Sequence, residues 1–192
     1  MSLKNEIYDI ITSSSKIISN IEKNSPEIES IVLKIISTIK NGNKIILFGN
    51  GGSAADAQHI AAELIGRFQL ERKSFPAIAL STDSSIITSI SNDYSFDIVF
   101  SRQCESLVNK DDLVIGISTS GNSKNVINGL KISKEIGAYT IGLLGNTSSQ
   151  IIEIVDIALM VDSKSTPRIQ EAHRTIYHII CDSVEKILEN KI

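Results

Sequence analysis

The chain has 192 residues, a length typical of a single domain, and its formal net charge at pH 7 is −3. This acidic balance argues against binding to nucleic acid, which needs a basic face, but it allows a small anionic substrate because local donors decide such binding. The two cysteines, Cys104 and Cys181, are too few for a disulfide framework, and we expect both to be buried, reduced thiols.

The N-terminal region, residues 1–42, is predicted to form two amphipathic helices. It lacks the apolar block of a signal or transit peptide, and no run in the chain approaches the ~20 residues of a membrane span, so we expect a cytoplasmic protein with no membrane partner. Isoleucines recur every three or four residues between Ile7 and Ile21, and again after Ser25. Ser25 suits an N-cap and Pro26 suits the first helical turn. These apolar stripes could cover the chain's own sheet or pack on another subunit, and we favour the second.

From residue 43 onward, short apolar strands are predicted to alternate with helices. The predicted strands cover residues 44–48, 77–80, 113–117, 139–144 and 156–160. The predicted helices cover residues 54–66, 84–91, 98–107, 123–136 and 167–190. This alternation is typical of a three-layer α/β sandwich with a central parallel sheet. We therefore expect residues 1–192 to form one domain, with an α/β core at 43–192.

Two glycine- and serine-rich loops each follow a predicted strand and open a helix, the position at which parallel α/β sheets bind ligands. The first loop is residues 49–53, with the sequence GNGGS, and the second loop is residues 118–123, with the sequence STSGNS. Glycine lets the backbone approach a ligand, and the free N–H groups at a helix start favour an anion. Hydroxyls add donors without charge, so the pair of loops favours a sugar phosphate over two simple capped turns.

The first loop also allows a different interpretation. Gly49, Gly51 and Ala54 fit the loose dinucleotide fingerprint G-x-G-x-x-G/A, and Asp83 lies near the end of the next strand. That fingerprint does not explain the hydroxyl-rich second loop. No lysine follows the first loop as a P-loop requires, so we disfavour a nucleotide-binding enzyme.

The three histidines lie in two predicted helices. His59 and Glu63 are four residues apart on one helical face, where they can share a metal such as zinc, act as an acid–base pair or form a surface ion pair. Gln170 and His178 share a face of the last helix but are separated by ~12 Å along its axis. We therefore expect a complete metal site to draw ligands from more than one chain. His173 is expected to be structural.

Five short motifs occur in order along the chain. They are the first loop, His59-x-x-x-Glu63-Leu64-x-Gly66-Arg67, Asn92-Asp93, the second loop, and Arg168-Ile169-Gln170-Glu171-x-His173 followed by His178. In this order they closely resemble the bacterial phosphoheptose isomerases, a branch of the sugar isomerase (SIS) domain family. The resemblance covers essentially the whole chain and implies an SIS-type, flavodoxin-like fold.

The resemblance also implies an activity and a site. The activity is aldose–ketose isomerisation of sedoheptulose 7-phosphate to D-glycero-D-manno-heptose 7-phosphate, an early step towards nucleotide-activated heptose for lipopolysaccharide or capsule. The assembly is a homotetramer with active sites between subunits and one zinc ion per subunit. The implied metal ligands are His59, Glu63, Gln170 and His178. The implied substrate contacts are Asn50, Gly51, Gly52, Ser53, Glu63, Asn92, Asp93, Ser118, Thr119, Ser120, Ser123 and Gln170.

The chain departs from the family pattern at Ala54, a small side chain next to the first loop, and at Pro167, where several relatives carry Asp. No contacts are therefore transferred to residues 162–166. The implied chemistry is proton transfer between C1 and C2 through an enediol. We hypothesise Glu63 as the base and His178 as the acid, with zinc polarising the carbonyl. The family also includes a non-catalytic paralogue that binds the bacterial replication initiator. Because Glu63 and His178 are both present here, we favour the enzyme.

Overall fold

Strands and helices alternate along the chain as the sequence predicts. The computed structural model describes residues 2–145 and 149–191. The helices are α1 (Leu3–Ser19), α2 (Ser25–Lys40), α3 (Gly52–Ile65), α4 (Ser84–Asp93), α5 (Val99–Leu107), α6 (Lys124–Ile136) and α7 (Thr166–Leu188). The strands are β1 (Ile45–Gly49), β2 (Ala77–Ala79), β3 (Leu113–Ser118), β4 (Tyr139–Leu144) and β5 (Ile157–Met160). Each predicted helix and strand is present, with its ends moved by a few residues at most.

The five strands form one parallel sheet in the order β2-β1-β3-β4-β5. β2 lies on one side of β1, and β3, β4 and β5 follow one another on its other side. The direction in which strands are added therefore reverses between β1 and β3. This is the flavodoxin-like order, which differs from the 3-2-1-4-5-6 order of dinucleotide-binding folds. The two loops leave the carboxyl ends of β1 and β3, and they therefore meet at the switch point.

Helices cover both faces of the sheet, because alternate residues of each strand point to opposite sides. In β1, Ile45 and Leu47 pack in a core shared with α2, α3 and α7. Ile46 and Phe48 pack in a second core with α4, α5 and α6. There Phe48 stacks on Phe100 with ring centroids 4.9 Å apart. The predicted three-layer sandwich is confirmed.

The two N-terminal helices have different roles, although their apolar periodicity is similar. α2 buries Ile31 and Ile35 in the same core as the sheet. The preference for another subunit is therefore corrected for the α2 stripe, which covers the chain's own sheet. α1 buries no residue, and its Tyr8 and Ile11 are 68% and 59% exposed. Packing of α1 on another subunit stays a prediction.

The start of α2 differs from the predicted capping. A 3-10 turn, Asn20–Asn24, leads directly into α2, and Asn24 occupies the N-cap position. Ser25 already has helical backbone angles, and its hydroxyl donates to the Glu22 carbonyl at 2.6 Å. Because the chain enters α2 from another helical turn, Ser25 lacks the extended backbone of an N-cap residue and does not cap the helix. Pro26 lies in the first turn as predicted.

Both cysteines are free and buried, as predicted. Burial raises the pKa of the Cys104 thiol to about 11 and that of Cys181 to about 12. Both therefore behave as small neutral hydrophobic side chains at pH 7. Across residues 2–145 and 149–191, no helix is long and apolar enough to cross a membrane.

Candidate active site

Three of the four predicted metal ligands meet where α3 packs beside α7. His59 and Glu63 lie one turn apart on α3, and His59 Nε2 is 2.9 Å from Glu63 Oε1. His178 on α7 places its Nε2 3.4 Å from His59 Nε2. The side chains of His59 and Glu63 are 38% and 22% exposed, so a ligand can reach them. We refer to these three residues as the His–Glu–His cluster.

Aromatic rings surround the cluster and restrict its rotamers. Tyr177 lies edge-on to His178 with ring centroids 4.8 Å apart, and it lies 5.4 Å from the ring of His59. The Phe68 ring lies 5.7 Å from His178. Burial, helped by the neighbouring His59, lowers the pKa of His178, and Glu63 only partly opposes this shift. His178 is therefore neutral at pH 7, the form that binds a metal or accepts a proton.

Gln170, the fourth predicted ligand, lies apart from the cluster near the start of α7. Its amide lies against Gly52, and a Cβ atom at position 52 would overlap the Gln170 amide nitrogen. Both residues line a cavity of about 310 Å³ together with Arg174. Within the described residues, Gln170 has no hydrogen bond to the cluster. The hypothesis that ligands come from more than one chain stays a prediction.

The donors of the cluster fit a borderline metal ion such as zinc, because two imidazole nitrogens and one carboxylate oxygen are common zinc ligands. The His59 and His178 Nε2 atoms are 3.4 Å apart. Two ligands of a tetrahedral zinc ion with bonds of ~2.0–2.1 Å are separated by a similar ~3.3 Å. In the described ranges, however, no group of three or more His, Cys, Asp or Glu side chains is already arranged to hold an ion. A closed site needs a small side-chain movement or a further ligand.

Asp56 is a polar residue of this region that the sequence reasoning missed. Its side chain is buried, 3% exposed as a residue, and accepts hydrogen bonds from Tyr177 Oη and from the Arg174 guanidinium, each at 3.3 Å. Burial and the Asp56 charge raise the pKa of Tyr177 to about 12, so its hydroxyl stays protonated. Asp56 precedes His59 by three residues, a spacing that places both on one face of a helix and could have indicated it.

A pair of amides holds the first loop to the first turn of α6, the helix that follows the second loop. Asn50 and Asn125 exchange hydrogen bonds, and both Nδ2–Oδ1 distances are 2.9 Å. Asn125 belongs to α6, the helix that opens at the second loop. Gly51 has φ +56°, a left-handed conformation that favours glycine, and it is exposed whereas Ser53 is buried. The first loop therefore presents mainly backbone to a ligand.

The second loop is a compact turn lined with hydroxyl groups. Ser118 Oγ lies 3.2 Å from Ser123 Oγ and accepts the Gly121 N–H at 3.1 Å. Gly121 has φ +65°, and a Cβ atom there would overlap Ser149. Ser120 is exposed and Thr119 half-buried. The Ser123 side chain does not cap α6, but the Val126 N–H donates to Asn125 Oδ1 at 2.9 Å. The first turn therefore offers an anion the N–H groups of Lys124 and Asn125, which have no hydrogen-bond acceptor among the described residues.

Asn92 and Asp93 form the end of α4 and are exposed. Asn92 Nδ2 donates to Asp93 Oδ1 at 2.9 Å. Within the part of the chain that the structure describes, neither side chain has a hydrogen bond to the loops or to the cluster. The structure thus does not bring this predicted substrate pair together with the rest of the site, and its role stays a prediction.

Residues 11–145 match the model of the SIS domain family. The chain belongs to the SIS domain family. This SIS chain is 52% identical over 184 residues to the phosphoheptose isomerase of Geotalea daltonii, covering 95% of the chain and 96% of the relative. A phosphoheptose isomerase structure from Francisella tularensis has a TM-score of 0.93 and 32% identity, covering 97% of this chain and all of that one. Another from Neisseria gonorrhoeae has a TM-score of 0.91 and 37% identity over 96% of this chain.

The predicted family resemblance is therefore confirmed along nearly the whole length of the SIS chain. Its relatives are phosphoheptose isomerases in both comparisons. The chain is accordingly placed in an enzyme class, the sugar-phosphate isomerases. The fold, with both loops at the switch point, is the one these relatives share.

Proposed function

We propose that this SIS chain converts sedoheptulose 7-phosphate to D-glycero-D-manno-heptose 7-phosphate, an aldose–ketose isomerisation in the biosynthesis of nucleotide-activated heptose. The observation that carries the proposal is the His–Glu–His cluster, with Glu63 Oε1 2.9 Å from His59 Nε2 and His178 beside it. A carboxylate and a neutral imidazole side by side are the groups that an enediol mechanism needs. The identity to curated phosphoheptose isomerases supports the choice of sugar.

In this proposal the two loops bind opposite ends of the substrate. The hydroxyls of the second loop and the N–H groups at the start of α6 bind the phosphate in this scheme. These groups are hydrogen-bond donors, and the loop sequence contains no carboxylate that would repel an anion. The first loop binds the sugar end beside α3. Asn92 and Asp93 are proposed as further sugar contacts, on the family resemblance alone.

The cluster moves the protons. Glu63 removes a proton from the carbon next to the carbonyl, which gives the enediol, and returns it to the neighbouring carbon, so no net proton is gained or lost. His178 exchanges protons with the two substrate oxygens. Groups of this kind each contribute ~10²–10⁴-fold to the rate.

A metal ion and an assembly belong to the same proposal. We propose His59, Glu63, Gln170 and His178 as the residues that would hold zinc, which would supply Lewis-acid polarisation of the carbonyl. Because a carboxylate held tightly by zinc is a poor base, the role of Glu63 changes during the reaction cycle in this proposal. Gln170 and His178 are separated by ~12 Å along the axis of α7, and this separation supports a site shared by subunits of a homotetramer. The exposed apolar side chains of α1 support contacts with such subunits. The two free, buried thiols are consistent with a cytoplasmic protein.

The deciding experiment adds sedoheptulose 7-phosphate to the purified chain and follows the aldose signals by NMR, with and without a chelator. We expect conversion that the chelator abolishes and added zinc restores. Absence of conversion with zinc present would contradict the proposal and favour the binding-protein alternative, in which a SIS chain recognises the replication initiator.

A further inference from the structure

A buried ion pair lies near the cluster, between the segment that follows α3 and the last turn of α7. Arg72 Nε donates to Glu185 Oε1 at 2.9 Å, and each side chain is only 1% exposed. Glu185 also accepts the backbone N–H groups of Phe68, Gln69 and Leu70. Burial opposes ionisation, but these N–H groups and Arg72 outweigh it and hold the pKa of Glu185 below its usual value. A buried ion pair contributes little net stability, so stability alone does not account for this pair.

The arginine end of the pair holds the last turn of α3. Arg72 Nη2 donates to the Glu63 carbonyl at 2.8 Å, and Nη1 donates to the Leu64 carbonyl at 3.0 Å. Carbonyls in the last turn of a helix have no partner within the helix, so they need donors of this kind. The backbone of Glu63, the proposed base, is therefore fixed by Arg72.

The glutamate of the pair holds the backbone of Phe68, whose ring packs against His178. Glu185 follows His178 by seven residues on α7, which is ~2 helical turns and returns to the same face. Phe68 donates its N–H to Glu185 Oε1 at 2.9 Å, and its ring lies 5.7 Å from the ring of His178. One ion pair thus connects the backbone of Glu63 with the ring that packs on His178.

We propose that Arg72 and Glu185 are positioning residues that fix the Glu63 carboxylate relative to the His178 imidazole. Neither residue touches the substrate in this scheme. The effect on rate rests on the proposed function, whereas the effect on the placement of the side chains does not. An experiment can therefore contradict the effect on rate without contradicting the effect on side-chain placement, and the reverse.

Two variants and one control test the proposal. Glu185→Gln keeps the shape of the side chain but removes its charge. Arg72→Lys keeps the charge but loses the planar fork that reaches the two α3 carbonyls. The control is Asp112→Asn, because Asp112 is also a buried carboxylate, 2% exposed, and is paired with Lys44 at 2.6 Å. It accepts the N–H groups of Lys44 and Asn109 at the amino ends of β1 and β3.

The first measurement is the NMR spectrum of the histidine rings, which is simple because the chain has three histidines. In folded samples of both variants we expect the ring signals of His59 and His178 to move and those of His173 to stay. Asp112→Asn should leave all three in place. Unmoved His59 and His178 signals in the folded variants, or equal movement in the control, would overturn the proposal. If Glu185→Gln does not fold, Arg72→Lys decides alone.

The second measurement is turnover of sedoheptulose 7-phosphate at a temperature where circular dichroism shows that each variant is folded. We expect kcat to fall at least ~10-fold while KM stays within ~3-fold, because misplacing a reacting group by ~1 Å costs up to ~10²-fold in rate. The control should keep kcat within ~2-fold, because among the described residues Asp112 shares no hydrogen-bond partner with Glu63 or His178, and sites without shared partners act nearly independently. Variants with wild-type kcat would contradict the positioning role. A wild-type chain without turnover would contradict the proposed function instead, and the ring signals would still decide the positioning role.

Discussion

The two edges of the sheet use charged and polar groups in opposite ways. At the amino edge, the Asp112 carboxylate is closed off by Lys44 and backbone N–H groups, and it is 1% exposed as a residue. At the carboxyl edge, the second loop brings the Ser118 and Ser123 hydroxyls together, 3.2 Å apart, and Ser123 leaves the start of α6 without a side-chain cap. One edge satisfies its polar groups within the fold, whereas the other leaves donors and acceptors for a ligand.

The largest expected effect comes from removing the charge of Glu63, a carboxylate that stays partly exposed whereas that of Asp112 is closed off. Glu63→Gln should lower kcat by ~10²–10⁴-fold, because an amide cannot accept the substrate proton. The partly exposed side chain has no core packing to lose, so the thermal midpoint should stay close to that of the wild type. Turnover with sedoheptulose 7-phosphate and a melting curve check both parts. Activity near the wild-type level would remove Glu63 as the base.

A smaller effect is expected from glycines that have left-handed backbone at the two edges. Gly121→Ala forces a Cβ atom into Ser149 in addition to the strain of φ +65°, so the second loop must move. We expect KM for the sugar phosphate to rise at least ~10-fold, because loss of one or two charge-assisted hydrogen bonds to an anion costs ~1.5–3 kcal/mol.

The matched control is Gly42→Ala, just before β1. Gly42 has φ +80°, and no described atom lies within 4 Å of the point that a Cβ atom would occupy, so only backbone strain of ~1 kcal/mol is expected. KM should stay unchanged in this variant, and urea unfolding should show the small loss. An equal rise of KM in both variants would mean that the second loop does not bind the phosphate.

The smallest expected effect is a dependence of stability on pH. His173 is fully buried on α7, where its Nε2 lies 3.1 Å from the Leu144 carbonyl at the end of β4 and its Nδ1 has no partner among the described residues. Burial lowers the pKa of His173, and the carbonyl only partly opposes this. The folded state therefore prefers the neutral ring, and the unfolded state binds more protons below its pKa of ~6.5.

The resulting stability is complete above ~6.5, and it is lost as the pH falls from there towards the folded pKa. Urea midpoints of the wild type between pH 5 and 7.5 should decrease towards acid pH. His173→Asn should show a flatter curve, and the difference between the two curves removes the similar contribution of His178. Parallel curves would show that His173 is not the titrating group.

Much of the fold could be predicted because its signals are local in sequence. Periodicity gave the strands and helices, and the glycine and serine composition gave both loops at the switch point. The α3 half of the cluster, His59 and Glu63, is also local, since the two are one helical turn apart. Local patterns failed where context decides: Ser25 resembles an N-cap, yet a preceding helical turn removes that role.

The features that escaped prediction depend on partners far apart in the chain. Arg72 and Glu185 are separated by 113 positions, and each resembles an ordinary charged surface residue in the sequence. Asp56 meets Tyr177 across 121 positions. The stripes of α1 and α2 have the same period, so periodicity could not indicate which one covers the sheet. Only the folded arrangement distinguishes these cases.

The amide pair between Asn50 and Asn125 has a consequence for redesign. Because it joins the first loop to the first turn of α6, a contact inside the scaffold fixes the spacing of the two loops that we propose to bind the sugar end and the phosphate end. Grafting a first loop without Asn50 would remove the amide pair and leave Asn125 bonded only to the Val126 N–H among the described residues. We expect altered chain-length preference to require exchange of both loops with the start of α6, as one module.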